Sequence, residues 1–187
     1  VKDDSKSGSS GGAMSEFSDM GIFRSNTNIN NELFTLKSPA LMTEVVRRLR
    51  LNETYTVRKG LKNVDLYKAN PVAVTFGEVM EKPVSFTIRI DSKDAFTISG
   101  LKVAGVESEN TFAGRMGDSI QTAAGTLFIS PTKFYSDACI GTSIRYAIGK
   151  VDGAANRYLN ALRVELGSKE ATIINLSIND TSIARAE

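Results

Sequence analysis

Residues 28–51, NINNELFTLKSPALMTEVVRRLRL, carry the longest helical pattern of the chain and constrain its fold most. Apolar residues recur there with helical spacing in two runs, which indicates a helix with one face toward a core. The runs are Ile29, Leu33 and Leu36, then Met42, Val45, Val46 and Leu49. Ser38-Pro39 separates them, and Ser is a good N-cap while Pro is tolerated only in a first turn. The sequence predicts two helices meeting at Ser38 or one kinked helix.

After Leu51 the pattern changes to the period of two that is typical of strands. Alternating apolar residues predict strands over 52–58, 72–76, 84–90, 95–99 and 125–130, with weaker candidates at 64–67, 101–106 and 143–148. Short strands with turn residues between them favour an antiparallel sandwich or barrel. We therefore expect residues 53–149 to form a β-rich module.

The two flanks of this module predict a second, mixed unit. Residues 151–162 have a helical pattern, and 163–166 and 171–178 are predicted strands around a Gly-Ser-Lys turn, the last of them central in its sheet. At the start we expect a strand over 1–5, a flexible Gly/Ser loop over 6–13 and a short helix over 14–23. The predicted class is α+β, with a discontinuous α/β base formed by 1–52 and 150–187.

Composition excludes several kinds of site. The chain has no histidine and one cysteine, Cys139, so His-based triads, Cys–His dyads and Cys/His zinc sites are absent from it. Cys139 lies between Ala138 and Ile140, which favours a small buried hydrophobe over a nucleophile. The 23 basic and 21 acidic residues give a net charge of +2 without a basic field, so we do not expect nucleic acid as a partner.

The residues also suggest no catalytic group or cofactor. The acidic pairs lie in loops or turns, where solvation keeps carboxylates ionised; they are Asp3/Asp4, Asp91/Asp94 and Glu107/Glu109. The pairs Ser92-Lys93 and Ser168-Lys169 occupy predicted tight turns, where these residues are common for local reasons. We expect no enzyme activity from this chain, no cofactor and no metal.

Both ends of the sequence read as interrupted. The chain opens inside a predicted strand without a start Met, and Asp180 near its end has the position of an N-cap for a helix that would follow. No apolar run reaches the length of a membrane span. We expect the chain to be a piece of a longer protein.

Four stretches together resemble a known family, the periplasmic region of polysaccharide co-polymerases, also called chain-length determinant or Wzz-type proteins, in the form found in Bacteroides-like bacteria. The stretches are VKDDSKSGSSGG, NINNELFTLKSPALMTEVVRRLRL, GTLFISPTKF and ATIINLSINDTSIARAE, in the family's order. The most specific part runs from N-N-E-L through L-K-S to the final leucines. The resemblance covers about half of the chain.

The resemblance implies a non-enzymatic protein of the bacterial inner membrane, with this chain in the periplasm and anchors in flanking segments. Such proteins control the chain length and export of an exopolysaccharide, capsule or O-antigen (lipopolysaccharide). They do so as homo-oligomers beside the polysaccharide polymerase and the export machinery. Many members carry a cytoplasmic tyrosine-kinase domain after the second span; its phosphate-binding loop is not among these 187 residues.

Within that expectation, charged residues are candidates for contacts between neighbouring copies. They are Arg47, Arg48 and Arg50 on one side and Glu44, Asp65 and Asp180 on the other. The plain alternative is that the arginines complement the dipole of their helix as a solvated surface.

A second hypothesis makes the β-rich module a binding unit for a glycan or an envelope partner. It would use aromatic rings that stack on sugars, unless they belong to the core. The rings are Tyr55, Tyr67, Phe112, Phe134 and Tyr135.

Overall fold

The structure is a computed structural model that describes residues 31–166, 173–180, 182 and 185. It contains helices together with antiparallel sheets, so the predicted α+β class is confirmed. The strand, loop and helix predicted over 1–5, 6–13 and 14–23 lie outside the described residues.

The first helical pattern forms two helices rather than one kinked helix. Residues 31–36 are helical, and a second helix, α1 (Pro39–Leu49), begins after Ser38. Ser38 has extended backbone angles, and its Oγ accepts a hydrogen bond from the Leu41 N–H at 3.4 Å. These features identify Ser38 as the N-cap of α1.

The apolar stripe of α1 faces the core, with Val45 partly buried and the last residue exposed. Met42 and Val46 lie in the core, whereas Leu49, predicted to belong to the stripe, is 46% exposed. The reason is that α1 ends there. Arg50 adopts a left-handed conformation with φ 52°, and the chain turns so that Leu51 enters the core instead.

The strands, in chain order, are β1 (Glu53–Lys59), β2 (Lys62–Asp65), β3 (Val72–Phe76), β4 (Val84–Ile90), β5 (Ala95–Val103), β6 (Val106–Glu107), β7 (Phe112–Arg115), β8 (Ser119–Thr122), β9 (Gly125–Pro131), β10 (Ser143–Ile148), β11 (Leu162–Leu166) and β12 (Ile174–Ile178). A seven-stranded sheet has the order β2-β1-β10-β4-β5-β6, and β7 also pairs with β5. A three-stranded sheet has the order β3-β9-β8, and β11 pairs with β12. All of these pairings are antiparallel.

The seven-stranded and three-stranded sheets share one hydrophobic core. Val74 and Ile129 of the smaller sheet belong to the same buried cluster as Phe86, Ile98 and Tyr146 of the larger one. Strand residues alternate between buried and exposed, as in β4, because successive side chains point to opposite faces. Two antiparallel sheets over one core agree with the predicted sandwich alternative.

Of the weaker strand candidates, the one over 101–106 is wrong and the one over 143–148 is confirmed. Residues 101–106 are not a separate strand, since β5 continues to Val103 and then turns through Ala104 and Gly105, which both have positive φ. Strand β10, predicted only weakly, lies inside the sheet between β1 and β4. The sequence patterns did not predict β6, β7 or β8.

A second, smaller core joins elements from the two flanks of the β-rich module. Met42 and Val46 of α1 pack with Leu51 and with Ala155 and Tyr158 of a further helix, α2 (Val151–Ala161). The predicted helix over 151–162 is thereby confirmed.

The hairpin expected after α2 is present as β11 and β12. In the described part of the chain β12 pairs only with β11, and its Leu176 is 55% exposed. The central position predicted for 171–178 is therefore not seen among these residues.

The chain enters and leaves the two-sheet region at adjacent points. The Gly149 N–H donates to the Asn52 carbonyl at 2.9 Å, and the Asn52 amide donates to the Gly149 carbonyl at 3.0 Å. These reciprocal bonds join the residue before the predicted module 53–149 to its last residue. The boundaries of the module stay a prediction.

Candidate functional site

The strongest polar feature among the described residues lies where the two cores meet. We call it the ionic junction and define it by Arg50, Glu53, Asp65 and Arg185. Arg50 follows α1, Glu53 opens β1 and Asp65 closes β2, while Arg185 comes from the segment after β12. Side chains from three parts of the sequence therefore meet at one place.

Arg185 is the most buried cation of the junction. Its side chain is 4% exposed and forms an ion pair with the Asp65 carboxylate at 2.5 Å. Its guanidinium also donates to the backbone carbonyls of Glu53, at 2.6 Å, and Leu51, at 3.4 Å, and lies 4.6 Å from the centre of the Tyr67 ring. Burying a guanidinium requires such partners, because an unpaired buried charge is costly. Arg185 thus fixes the end of the described chain to β1 and β2.

Arg50 and Glu53 form the second half of the junction. Their side chains pair at 2.8 Å, and Arg50 also donates to the Val74 carbonyl at 2.9 Å. The Tyr55 hydroxyl accepts a hydrogen bond from the Val74 N–H at 2.9 Å. Side chains from the end of α1 and from β1 therefore hold both backbone groups of this β3 residue, which ties the small sheet to the helix.

Burial sets the electrostatics of this half. Glu53 is 8% exposed, and desolvation raises the pKa of its carboxyl despite the ion pair with Arg50. Arg50 is about half exposed, so Glu53 carries most of the desolvation cost of the pair. Burial also raises the pKa of Tyr55 to about 12. The Tyr146 hydroxyl is buried near Glu53, and desolvation raises its pKa.

An apolar groove borders the junction. It has a volume of about 600 Å³ and runs between α1, α2 and β12. Leu41 and Leu49 of α1 and Leu176 of β12 line it and are 38%, 46% and 55% exposed. Arg185 and Tyr67 are also lining residues of this groove, so the groove and the junction share Arg185.

The residues predicted as oligomer contacts have partners within the chain in most cases. Glu44 pairs with Arg48 at 2.7 Å along α1, and both side chains are exposed. Asp65 pairs with Arg185 and Arg50 with Glu53, as described above. Arg47 is exposed in the last turn of α1.

The carboxylate of Asp180 accepts a hydrogen bond from the Ser182 N–H at 2.9 Å. The helix predicted to follow Asp180 falls largely on residues outside the described ones, so its role as an N-cap stays a prediction. The predicted contacts between copies stay a prediction for all six residues.

The aromatic residues considered for glycan stacking do not form a common platform. Tyr55 is buried, and Phe112 packs against the sheet core. The Tyr135 hydroxyl donates to the carbonyls of Ser92 and Lys93, and Tyr67 lies beneath Arg185. Only Phe134, at 45% exposure, presents a largely open ring among the five.

Sequence reasoning missed Arg185, and a weak signal for Glu53 was present. Arg185 stands in SIARAE with Ala on both sides, and its partner Asp65 is 120 residues away. Glu53 lies on the same face of β1 as Tyr55 and Val57, so alternation of side chains along the strand places Glu53 in the core. An acidic residue in an inward position calls for a cationic partner nearby.

Among the described residues, no group of three or more His, Cys, Asp or Glu residues has a geometry that holds a metal ion. None of their helices is long and apolar enough to cross a bilayer. In comparisons with known proteins, no family model matches this sequence and no curated protein does.

Proposed function

We propose that this chain is the periplasmic domain of an inner-membrane polysaccharide co-polymerase, which regulates the chain length and export of an exopolysaccharide, capsule or O-antigen by assembling into oligomers. The proposal rests on the resemblance of four stretches to that family. In it the chain acts by shape and contact, beside the polymerase and the export machinery.

The observation that carries the proposal beyond the resemblance is the packing of the two flanks. Elements before the two-sheet region, α1 and Leu51, and elements after it, α2 and Ile178, belong to one hydrophobic cluster. A domain held at a membrane through both flanks needs those flanks to meet in one unit. The packing of α1 on α2 supports this arrangement, with the two-sheet region as the inserted module.

The ionic junction gives this proposal a physical basis. A domain that assembles through its flanks and carries a large module must keep the two in a fixed orientation. Arg185 binds the strand region from the C-terminal flank, and Arg50 binds it from the N-terminal flank. Because each guanidinium donates to a backbone carbonyl of the other unit, rotation of one unit against the other would break charge-assisted hydrogen bonds.

The test is the length distribution of the surface polysaccharide in a strain that lacks the full gene. We expect a shifted or broadened ladder on a gel, restored by the wild-type gene. An unchanged ladder together with unchanged capsule would refute the proposal.

A second pair of strains tests the predicted contact on α1. Arg47→Glu reverses an exposed charge at the end of α1, and Lys93→Glu makes the same change in the exposed β4–β5 turn. We expect Arg47→Glu to change both crosslinked oligomers and the ladder, while Lys93→Glu changes neither. A normal ladder with Arg47→Glu would exclude that contact without affecting the proposed function.

A further inference from the structure

A cleft distinct from the ionic junction lies between α2 and the ends of several interior strands of the seven-stranded sheet. Its volume is about 480 Å³, within the range of small-ligand sites. The sheet side contributes the ends of β4 and β10 and the β5–β6 turn, and α2 forms the opposite wall. Polar groups such as the side chains of Asn52 and Ser85 line it beside small apolar residues.

One face of α2 shapes the cleft. Lys150, Gly153, Ala154 and Arg157 all line it, and their spacing of i, i+3, i+4 and i+7 places them on the same side of a helix. A Cβ added at Gly153 would meet no atom within 4 Å. The two small residues therefore leave space between two cations, which are about 10 Å apart along the helix axis at 1.5 Å per residue.

The charge of the cleft is of one sign. Its cations are Lys102, Lys150 and Arg157, and none of its described lining residues is acidic. Lys102 pairs with Glu107 at 2.8 Å on the rim. Lys150 and Arg157 have no ion pair with any described residue; Arg157 lies 4.8 Å from the centre of the Tyr158 ring.

Lys150 does not stabilise α2 at the position that it occupies. It is the N-cap residue of α2, where its side chain makes no capping hydrogen bond. Cations near a helix N-terminus oppose the helix dipole, and Asp152 in the first turn offsets part of this. An anion in the cleft would be attracted by Lys150, by Arg157 and by the N-terminal end of α2 together.

Arg157 lines a second cavity in addition to the cleft. This cavity is smaller, and Asp65, Asp180 and Arg185 also line it. Asp65 is already paired with Arg185, and the Asp180 carboxylate accepts a hydrogen bond from the Ser182 N–H. The Arg157 guanidinium is therefore available to a ligand in the larger cleft.

We propose that this cleft binds the anionic group, carboxylate or phosphate, of an acidic sugar residue. The choice of a sugar rests on the proposed function, whereas the choice of an anion rests on the unpaired cations and the absence of lining carboxylates among the described residues. The cleft gives the domain a direct contact with the polymer whose length it regulates.

Isothermal titration calorimetry of the 187-residue chain tests this proposal with three probes. Trigalacturonate carries carboxylates, glucose 1-phosphate carries a phosphate and maltotriose is neutral. We expect heat with at least one anionic probe, binding at least about tenfold weaker for maltotriose, and an affinity that falls at high salt. The two anionic probes distinguish a carboxylate ligand from a phosphate ligand.

The double variant Lys150→Gln, Arg157→Gln should bind the anionic probe with an affinity about tenfold or more below that of the wild type. Its matched control is Lys133→Gln, Arg163→Gln, which removes two exposed cations outside the cleft and should bind like the wild type. Circular dichroism of each variant verifies that the fold is retained.

Three results would overturn the inference: no heat with either anionic probe, equal binding of maltotriose, or full binding by the cleft variant. Sedimentation of the same samples adds a fourth. If the cleft variant loses self-association while the wild type binds no sugar, the cleft is a protein contact. Because binding is measured on purified protein and chain length in cells, this inference and the proposed function can fail separately.

Discussion

Removing Arg185 tests whether the ionic junction holds the C-terminal flank to the sheet. Arg185→Ala deletes the ion pair with Asp65 and the short hydrogen bond to the Glu53 carbonyl. Truncating one member of a buried pair costs about 3–5 kcal/mol. Asp65 is 21% exposed, so water can solvate it after the change, and we expect the lower end, about 3 kcal/mol.

Urea unfolding of the 187-residue chain measures this loss. For a chain of this size the thermal midpoint should also fall, by about 6–12 °C, since each kcal/mol corresponds to roughly 2–4 °C. Arg185→Lys is the matched variant. It keeps the charge but loses the forked geometry of the guanidinium, so its loss should lie between those of wild type and Arg185→Ala.

A double-mutant cycle with Asp65→Asn isolates the pair itself. We expect a coupling of about 1.5 kcal/mol or more, because hydrogen bonds to charged groups have this net value. The role given to the junction would be refuted if Arg185→Ala lowered the free energy of unfolding by less than about 1 kcal/mol. It would also be refuted if the effects of Arg185→Ala and Asp65→Asn on that free energy were additive. Faster amide exchange in β1 and β12 of Arg185→Ala would show which contacts open first.

Three further predictions concern single residues. Burial raises the folded-state pKa of Glu53 above its ordinary value of 4.5, so the contribution of this carboxyl to stability falls as pH rises from about 4.5 to the raised pKa. The urea midpoint of Glu53→Gln should therefore lack this decline between about pH 4.5 and 7. A variant with the same pH dependence as the wild type would contradict the prediction. Gly114→Ala would place a Cβ 2.3 Å from Ile120 Cδ1 and should lower the free energy of unfolding by about 1–2 kcal/mol. Adding Ile120→Val, which removes Cδ1, should restore part of this stability. If the double variant is no more stable than Gly114→Ala, this clash is not the cause. Gly153→Ala, in open space within α2, should raise the free energy of unfolding by about 0.8–1 kcal/mol, and a loss would mean that the site is tighter than described.

Local patterns were sufficient for elements whose signal lies in their own residues. The helix break at Ser38 follows from cap and proline chemistry. The bounds of Val84–Ile90 are predicted to the residue because apolar residues occupy every second position of VSFTIRI, and those residues are the buried ones. Strand β10 was underrated, since Arg145 divides its apolar residues, yet Ile144 and Tyr146 on the other face are fully buried. A polar residue on the outward face is compatible with a central position.

Elements that depend on distant partners were not predictable in this way. Strands β7 and β8 are four residues long, so their sequences show little apolar alternation. They form because β7 pairs with β5 and β8 pairs with β9. The ionic junction depends on a contact across 120 residues. Two of the charged residues selected from the sequence, Arg50 and Asp65, belong to it, but their partners within the chain are identified only by the fold.

The mutual hydrogen bonds of Asn52 and Gly149 determine where the two-sheet region can be altered. The chain enters and leaves this region at neighbouring residues, so a turn that is remote from Glu53, Asp65 and Val74 can change in length without moving the two ends that join the helices. An affinity tag inserted in the exposed β4–β5 turn should therefore leave the packing of α1 on α2 intact.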